Sequence, residues 1–74
     1  MDIEVRLRKL ESTYRAALSG TVAAKARYLA LAGDSSATAA AVERAKARWQ
    51  QLDASRRGIA AQLGQLEELE QALI

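Results

Sequence analysis

The chain has 74 residues, half of them hydrophobic, and carries 11 Lys and Arg against 9 Asp and Glu for a net charge of +2. That length supports one domain at most, and the absence of Cys and His excludes disulfide frameworks, Cys/His zinc sites, Ser-His-Asp triads and Cys-His pairs. A core of this size usually needs a staple, and the staples left are a second subunit or a partner.

The first predicted element is a helix over about residues 2–32. Asp2 is a suitable N-cap, Glu4 lies near the positive helix end, and only Gly20 interrupts a run of good helix formers. About 30 residues make a rod of roughly 45 Å. Gly33 then stands where a C-terminal cap belongs, and the short polar stretch Gly33-Asp34-Ser35-Ser36 predicts a turn, with residues 33–37 as the connection. The second helix, about 38–73, starts from Thr38 or Ser36 as its cap, with Gly58 and Gly64 as weak points. Phe and Pro are absent, and no strand-like alternation occurs. The fold class is therefore all-α: one antiparallel two-helix hairpin over 1–74, coiled-coil-like, expected to pair into a four-helix bundle.

Each helix carries an apolar seam in heptad spacing. In the first it runs Ile3, Leu7, Leu10, Tyr14, Ala17, Thr21, Ala24, Tyr28 and Leu31; in the second, Val42, Ala45, Trp49, Leu52, Arg56, Ile59, Leu63, Leu66, Glu70 and Leu73. An antiparallel pair sets each layer at a constant sum of residue numbers, and a sum of about 73 aligns the two seams. Leu31 then meets Val42, Tyr28 meets Ala45, Ala24 meets Trp49, Thr21 meets Leu52, Tyr14 meets Ile59, Leu10 meets Leu63 and Leu7 meets Leu66. Two of the aromatics, Tyr28 and Trp49, thus face alanines, which suits close packing. Arg56 faces Ala17 and Glu70 faces Ile3. Arg56 is expected either to fix register, its stem along the seam and its guanidinium in water, or to meet a carboxylate on a second subunit. The acidic cluster Glu67, Glu68 and Glu70 is expected at the same end as Arg6, Arg8 and Lys9, where opposite charges favour the antiparallel arrangement.

Leu18, Val22 and Leu29 lie on the flank of the first helix, outside its seam, with Ala26 and Ala32 alongside. Three large apolar residues on one side of one helix mark a candidate partner-binding surface, to which Arg56 is added. The second helix contributes small residues outside its seam, Ser55, Gly58, Ala60, Ala61 and Gly64, which let another helix approach.

Catalysis is not expected, because a two-helix hairpin has no concavity in which to desolvate a carboxylate, and Trp49, Tyr14 and Tyr28 are explained as seam residues. No catalytic residue, cofactor or metal is assigned. Arg44, Lys46, Arg48, Arg56 and Arg57 raise nucleic-acid binding, but they spread around the helix, and Glu43 and Asp53 interrupt them. No apolar run approaches the ~20 residues a membrane span needs. Asp2 and Glu4 ahead of Arg6 do not make a signal peptide's order of charge, so the expected location is cytoplasmic. The residues predict a non-enzymatic interaction module that binds itself, another helical protein, or both. In outline the chain is similar to the small helical-hairpin cochaperones of type III secretion, which hold a larger chaperone so that a needle subunit stays unpolymerised. The likeness covers length, layout and an Ala- and Leu-rich seam. It implies a chaperone partner and assigns no residue.

Overall fold

Asp2 holds extended backbone (φ −109°, ψ 104°), and its carboxylate accepts a hydrogen bond from the Glu4 N–H at 3.2 Å. That satisfies one of the amides a helix start leaves unpartnered, and α1 follows as Ile3–Ala32. The computed structural model describes residues 2–73; Met1 and Ile74, the two ends of the expected domain, lie outside it. Only one other helix is present among the described residues, α2 at Ala39–Leu73, and it packs antiparallel along α1 with no strand between them. The molecule is a helical hairpin.

The turn is built from hydrogen bonds. Gly33 caps α1 in the right-handed region (φ −87°, ψ −3°), with its N–H donating to the Leu29 carbonyl and that of Asp34 donating to Leu31, both at 3.1 Å. The second of these is a tighter three-residue bond, so the helix ends by narrowing, without the left-handed residue that would demand glycine. Asp34 then accepts from both the backbone N–H of Ser36 at 2.9 Å and its hydroxyl at 2.7 Å. These two bonds hold the Asp34 carboxyl below its ordinary pKa, the hydroxyl bond having the larger effect. Ser36 is committed to Asp34, which leaves Thr38 to cap α2 by accepting from the Ala41 N–H at 3.1 Å.

Every seam residue from Ile3 to Leu31 and from Val42 to Glu70 is at least half-buried, and only Leu73 among them is exposed. The burial is shallow, however. Leu7, Ala45 and Thr21 are 7%, 8% and 5% exposed, and no large side chain is fully covered. Thr21 tolerates that position because its hydroxyl donates to the Ala17 carbonyl at 2.9 Å within its own helix.

Two cross-helix contacts mark the register. The rings of Tyr28 and Trp49 stack with centroids 5.6 Å apart and planes 11° from parallel, and Arg56 Nη1 donates to the Tyr14 hydroxyl at 3.2 Å. The first pair of residue numbers lies one four-residue step above the constant of 73 and the second one three-residue step below it. Both are therefore diagonals between neighbouring layers. The alanines expected opposite Tyr28 and Trp49, Ala45 and Ala24, leave room for the ring diagonal to form.

The result is a rod of 57 × 15 × 14 Å with a radius of gyration of 16.8 Å. A compact chain of this length would have a radius near 11 Å. No described helix is long and apolar enough to cross a membrane.

Candidate interaction surface

Two flanks border the seam of a helical hairpin, and they follow from spacing alone. Residues one position after a seam residue lie on one side, here called the trailing flank; residues one position before it lie on the other, the leading flank. Because the helices run antiparallel, each flank of α1 shares a face with the same flank of α2.

Leu18, Val22 and Leu29 follow Ala17, Thr21 and Tyr28, so all three occupy the trailing flank. They are 39%, 60% and 55% exposed. The same series includes Lys25, between Val22 and Leu29, which interrupts the apolar stripe on paper. In space its ammonium lies 5.4 Å from the centre of the Trp49 ring, a cation–π position that draws the charge toward the seam. Toward the chain ends this flank becomes charged, with Glu4, Arg8 and Glu11 beside Glu70 around a shallow depression. Over its whole length the trailing flank holds five acidic and five basic residues across the two helices.

Arg56 is half-buried, and it is held from within the hairpin. Its Nε and Nη2 both donate to Asp53 Oδ1, at 3.1 and 2.9 Å, while Nη1 reaches Tyr14. Arg57 takes the other carboxylate oxygen, with Nη2 at 2.6 Å and Nε at 3.0 Å. Asp53 is thus forked between two guanidiniums. Its carboxyl titrates below its ordinary value, first through the bonds from Arg56 and then through those from Arg57. Arg56 therefore has its carboxylate in its own helix, one turn away, and its link across the seam is the Tyr14 hydroxyl.

The leading flank is a different surface. A groove of about 540 Å³ opens there between the turn-proximal halves of the helices, floored by Ala23, Ala24, Ala45, Leu31 and Leu52 and bordered by Arg27, Arg44 and Arg48. Gly20, Ala23 and Arg27 precede Thr21, Ala24 and Tyr28; Ala41, Arg44 and Arg48 precede Val42, Ala45 and Trp49. The basic residues of the second helix look dispersed in sequence, but two of them converge here with Arg27 of the first. Among the described residues none of these three arginines makes an ion pair; the ion pairs present are those of Asp53 with Arg56 and Arg57. Nor do Glu67, Glu68 and Glu70 pair with Arg6, Arg8 or Lys9 within 4.0 Å, so the charges expected to favour the antiparallel arrangement form no bridges at that end.

No cluster of three or more His, Cys, Asp or Glu side chains with metal-holding geometry occurs among the described residues. Comparison with protein-family models, curated proteins and solved structures finds no match to this chain.

Proposed function

We propose that this chain is a non-enzymatic interaction module that pairs with a second copy of itself through the trailing flank of α1, two hairpins forming a four-helix bundle. The observation that carries the reading is the exposed Leu18, Val22 and Leu29 stripe on a rod whose own core is too thin to cover it. The rod exposes 5460 Å². A compact monomer of 8.0 kDa would expose about 4,450 Å², so roughly 1,000 Å² is in excess. Stable interfaces bury about 800 Å² on each partner, so an interface of ordinary size absorbs that excess. The equal numbers of acidic and basic residues on this flank suit a two-fold contact, in which each patch must be its own complement. The similarity in outline to secretion cochaperones adds only architecture, and no side chain favours it.

Light scattering on a size-exclusion column tests the proposal. The wild type is expected at twice the chain mass, and Leu18→Lys/Leu29→Lys at the monomer mass, with a thermal midpoint that no longer rises with concentration. Neither substitution touches the seam, so the variant should remain helical by circular dichroism. A wild type that stays monomeric at hundreds of micromolar, or a double variant that still dimerises, overturns it.

A further inference from the structure

We infer that the leading-flank groove docks an acidic amphipathic helix belonging to a different protein. The inference stands apart from the self-association proposed above, because the two flanks lie on opposite sides of the seam.

The floor of the groove is apolar and low. Ala23, Ala24 and Ala45 keep their side chains short, and at Gly20 an added Cβ would meet nothing within 4 Å. Small residues in this arrangement let a third helix come within the 8–10 Å axis separation of ordinary helix packing, with its own apolar ridge filling the space. Charge then selects the occupant. Arg27 borders the groove from α1 and Arg44 and Arg48 from α2, and Arg6 and Lys9, which precede seam residues Leu7 and Leu10, continue the same flank toward the chain start. Within the two helices no leading-flank position carries Asp or Glu, although the chain has nine such residues; the carboxylate that precedes α1 on this flank, Asp2, is taken up by the Glu4 N–H as the helix cap.

That one-sided charge argues against a second copy as the occupant. A two-fold contact would bring guanidinium against guanidinium or ammonium, with no carboxylate on either side to separate them. The occupant must bring its own anions. A nucleic-acid backbone would satisfy the arginines but leave the alanine and leucine floor uncovered, and no aromatic ring lines the groove on which a base could stack. An amphipathic helix answers both halves of the surface. Its apolar ridge covers the floor, and carboxylates along the edges of that ridge accept paired N–H bonds from the arginine forks.

The probe is a fluorescein-labelled synthetic helical peptide of about 20 residues, with leucines along one face at spacings of three and four and glutamates on both edges of that face. Two controls share its length: a scrambled sequence with no apolar face, and a version with Lys in place of Glu. Fluorescence anisotropy should show saturable binding of the acidic amphipathic peptide and none of either control. Arg44→Glu/Arg48→Glu should weaken binding by more than about tenfold. Gly20→Leu keeps every charge, raises helix propensity and fills the groove, so it should weaken binding about as much while the protein stays folded. Failure of the acidic peptide to bind overturns the inference, as does equal binding of the scrambled peptide or indifference to Gly20→Leu. A random single-stranded oligonucleotide that binds more tightly than the peptide, with the same arginine dependence, also overturns it by making the groove a phosphate site.

Discussion

Both tyrosines of α1 reach across the seam, and they meet opposite kinds of partner. Near the turn, Tyr28 stacks on Trp49 while Lys25 sits over the same indole. Nearer the chain ends, Tyr14 accepts one hydrogen bond from Arg56, whose Nε and Nη2 both donate to Asp53. The first arrangement sets apolar surface against apolar surface with little directional demand, because two flat rings slide over one another at small cost. The second is strictly directional: a guanidinium already forked on its own helix offers one N–H to one hydroxyl. The contrast assigns stability to the aromatic layer and register to the polar one.

Removing the aromatic layer should have the largest effect. Trp49→Ala takes away the stack and the Lys25 contact. Full burial of an indole would make such a truncation cost about 3–5 kcal/mol; for a half-buried one about 2–3 kcal/mol is expected. In a chain of this size that lowers the thermal midpoint on the order of 10–20 °C. Thermal melts followed by circular dichroism read it directly. A drop of only a degree or two would mean that the stack contributes little and that stability resides in the aliphatic layers.

The polar layer should respond differently. Arg56→Leu replaces a forked cation with an apolar side chain while Asp53 keeps its bonds to Arg57, so the midpoint should change little: the lost pair is worth about 0–1 kcal/mol, and leucine offsets it by covering apolar surface. Register should suffer, because nothing then ties this layer to a fixed atom on α1. Amide spectra by NMR should show doubled or broadened peaks around Ala17 and position 56, absent from the wild type. A sharp single set of peaks with a lowered midpoint would reverse the assignment, making Arg56 a stabiliser and not a register device.

The hairpin itself is legible in the sequence. Asp2, the polar turn and Thr38 are local signals, and two heptad seams that align at one register need no knowledge of side-chain geometry. The Leu18, Val22 and Leu29 flank is legible for the same reason, although Lys25 goes unnoticed when only apolar positions are followed. The groove is not legible helix by helix: Arg44 and Arg48 look scattered until the antiparallel register sets them beside Arg27, and only then does the absence of carboxylates from the groove and its borders become visible. Asp53 is missed for a related reason. Read as an interruption in a basic run, it hides its spacing of three and four from Arg56 and Arg57, which is the signature of helix ion pairs.

That fork gives the smallest predicted effect and the sharpest test of what holds Arg56 in place. The Asp53 carboxyl has its folded-state pKa depressed, chiefly by Arg56 and then by Arg57. A depressed carboxyl contributes stability that is fully present above its unfolded value, near 3.9, and is lost as pH falls from there through the folded value. The wild-type thermal midpoint should therefore decline from about pH 5 downward. Asp53→Asn should flatten part of that decline while changing little at neutral pH, where side chains this close to solvent are screened. Asp34 has the same sign of shift through its bonds to Ser36, so a residual slope should survive in Asp53→Asn and shrink again when Asp34→Asn is added. Added salt should weaken the Asp53 part more than the Asp34 part, because the first depends on opposite charges and the second on hydrogen bonds to neutral donors. Identical acid slopes for wild type and Asp53→Asn would show that the fork carries no folding energy; the directional hold on Arg56 would then rest on Tyr14 alone, and Tyr14→Phe should by itself reproduce the broadened amide spectrum expected of Arg56→Leu.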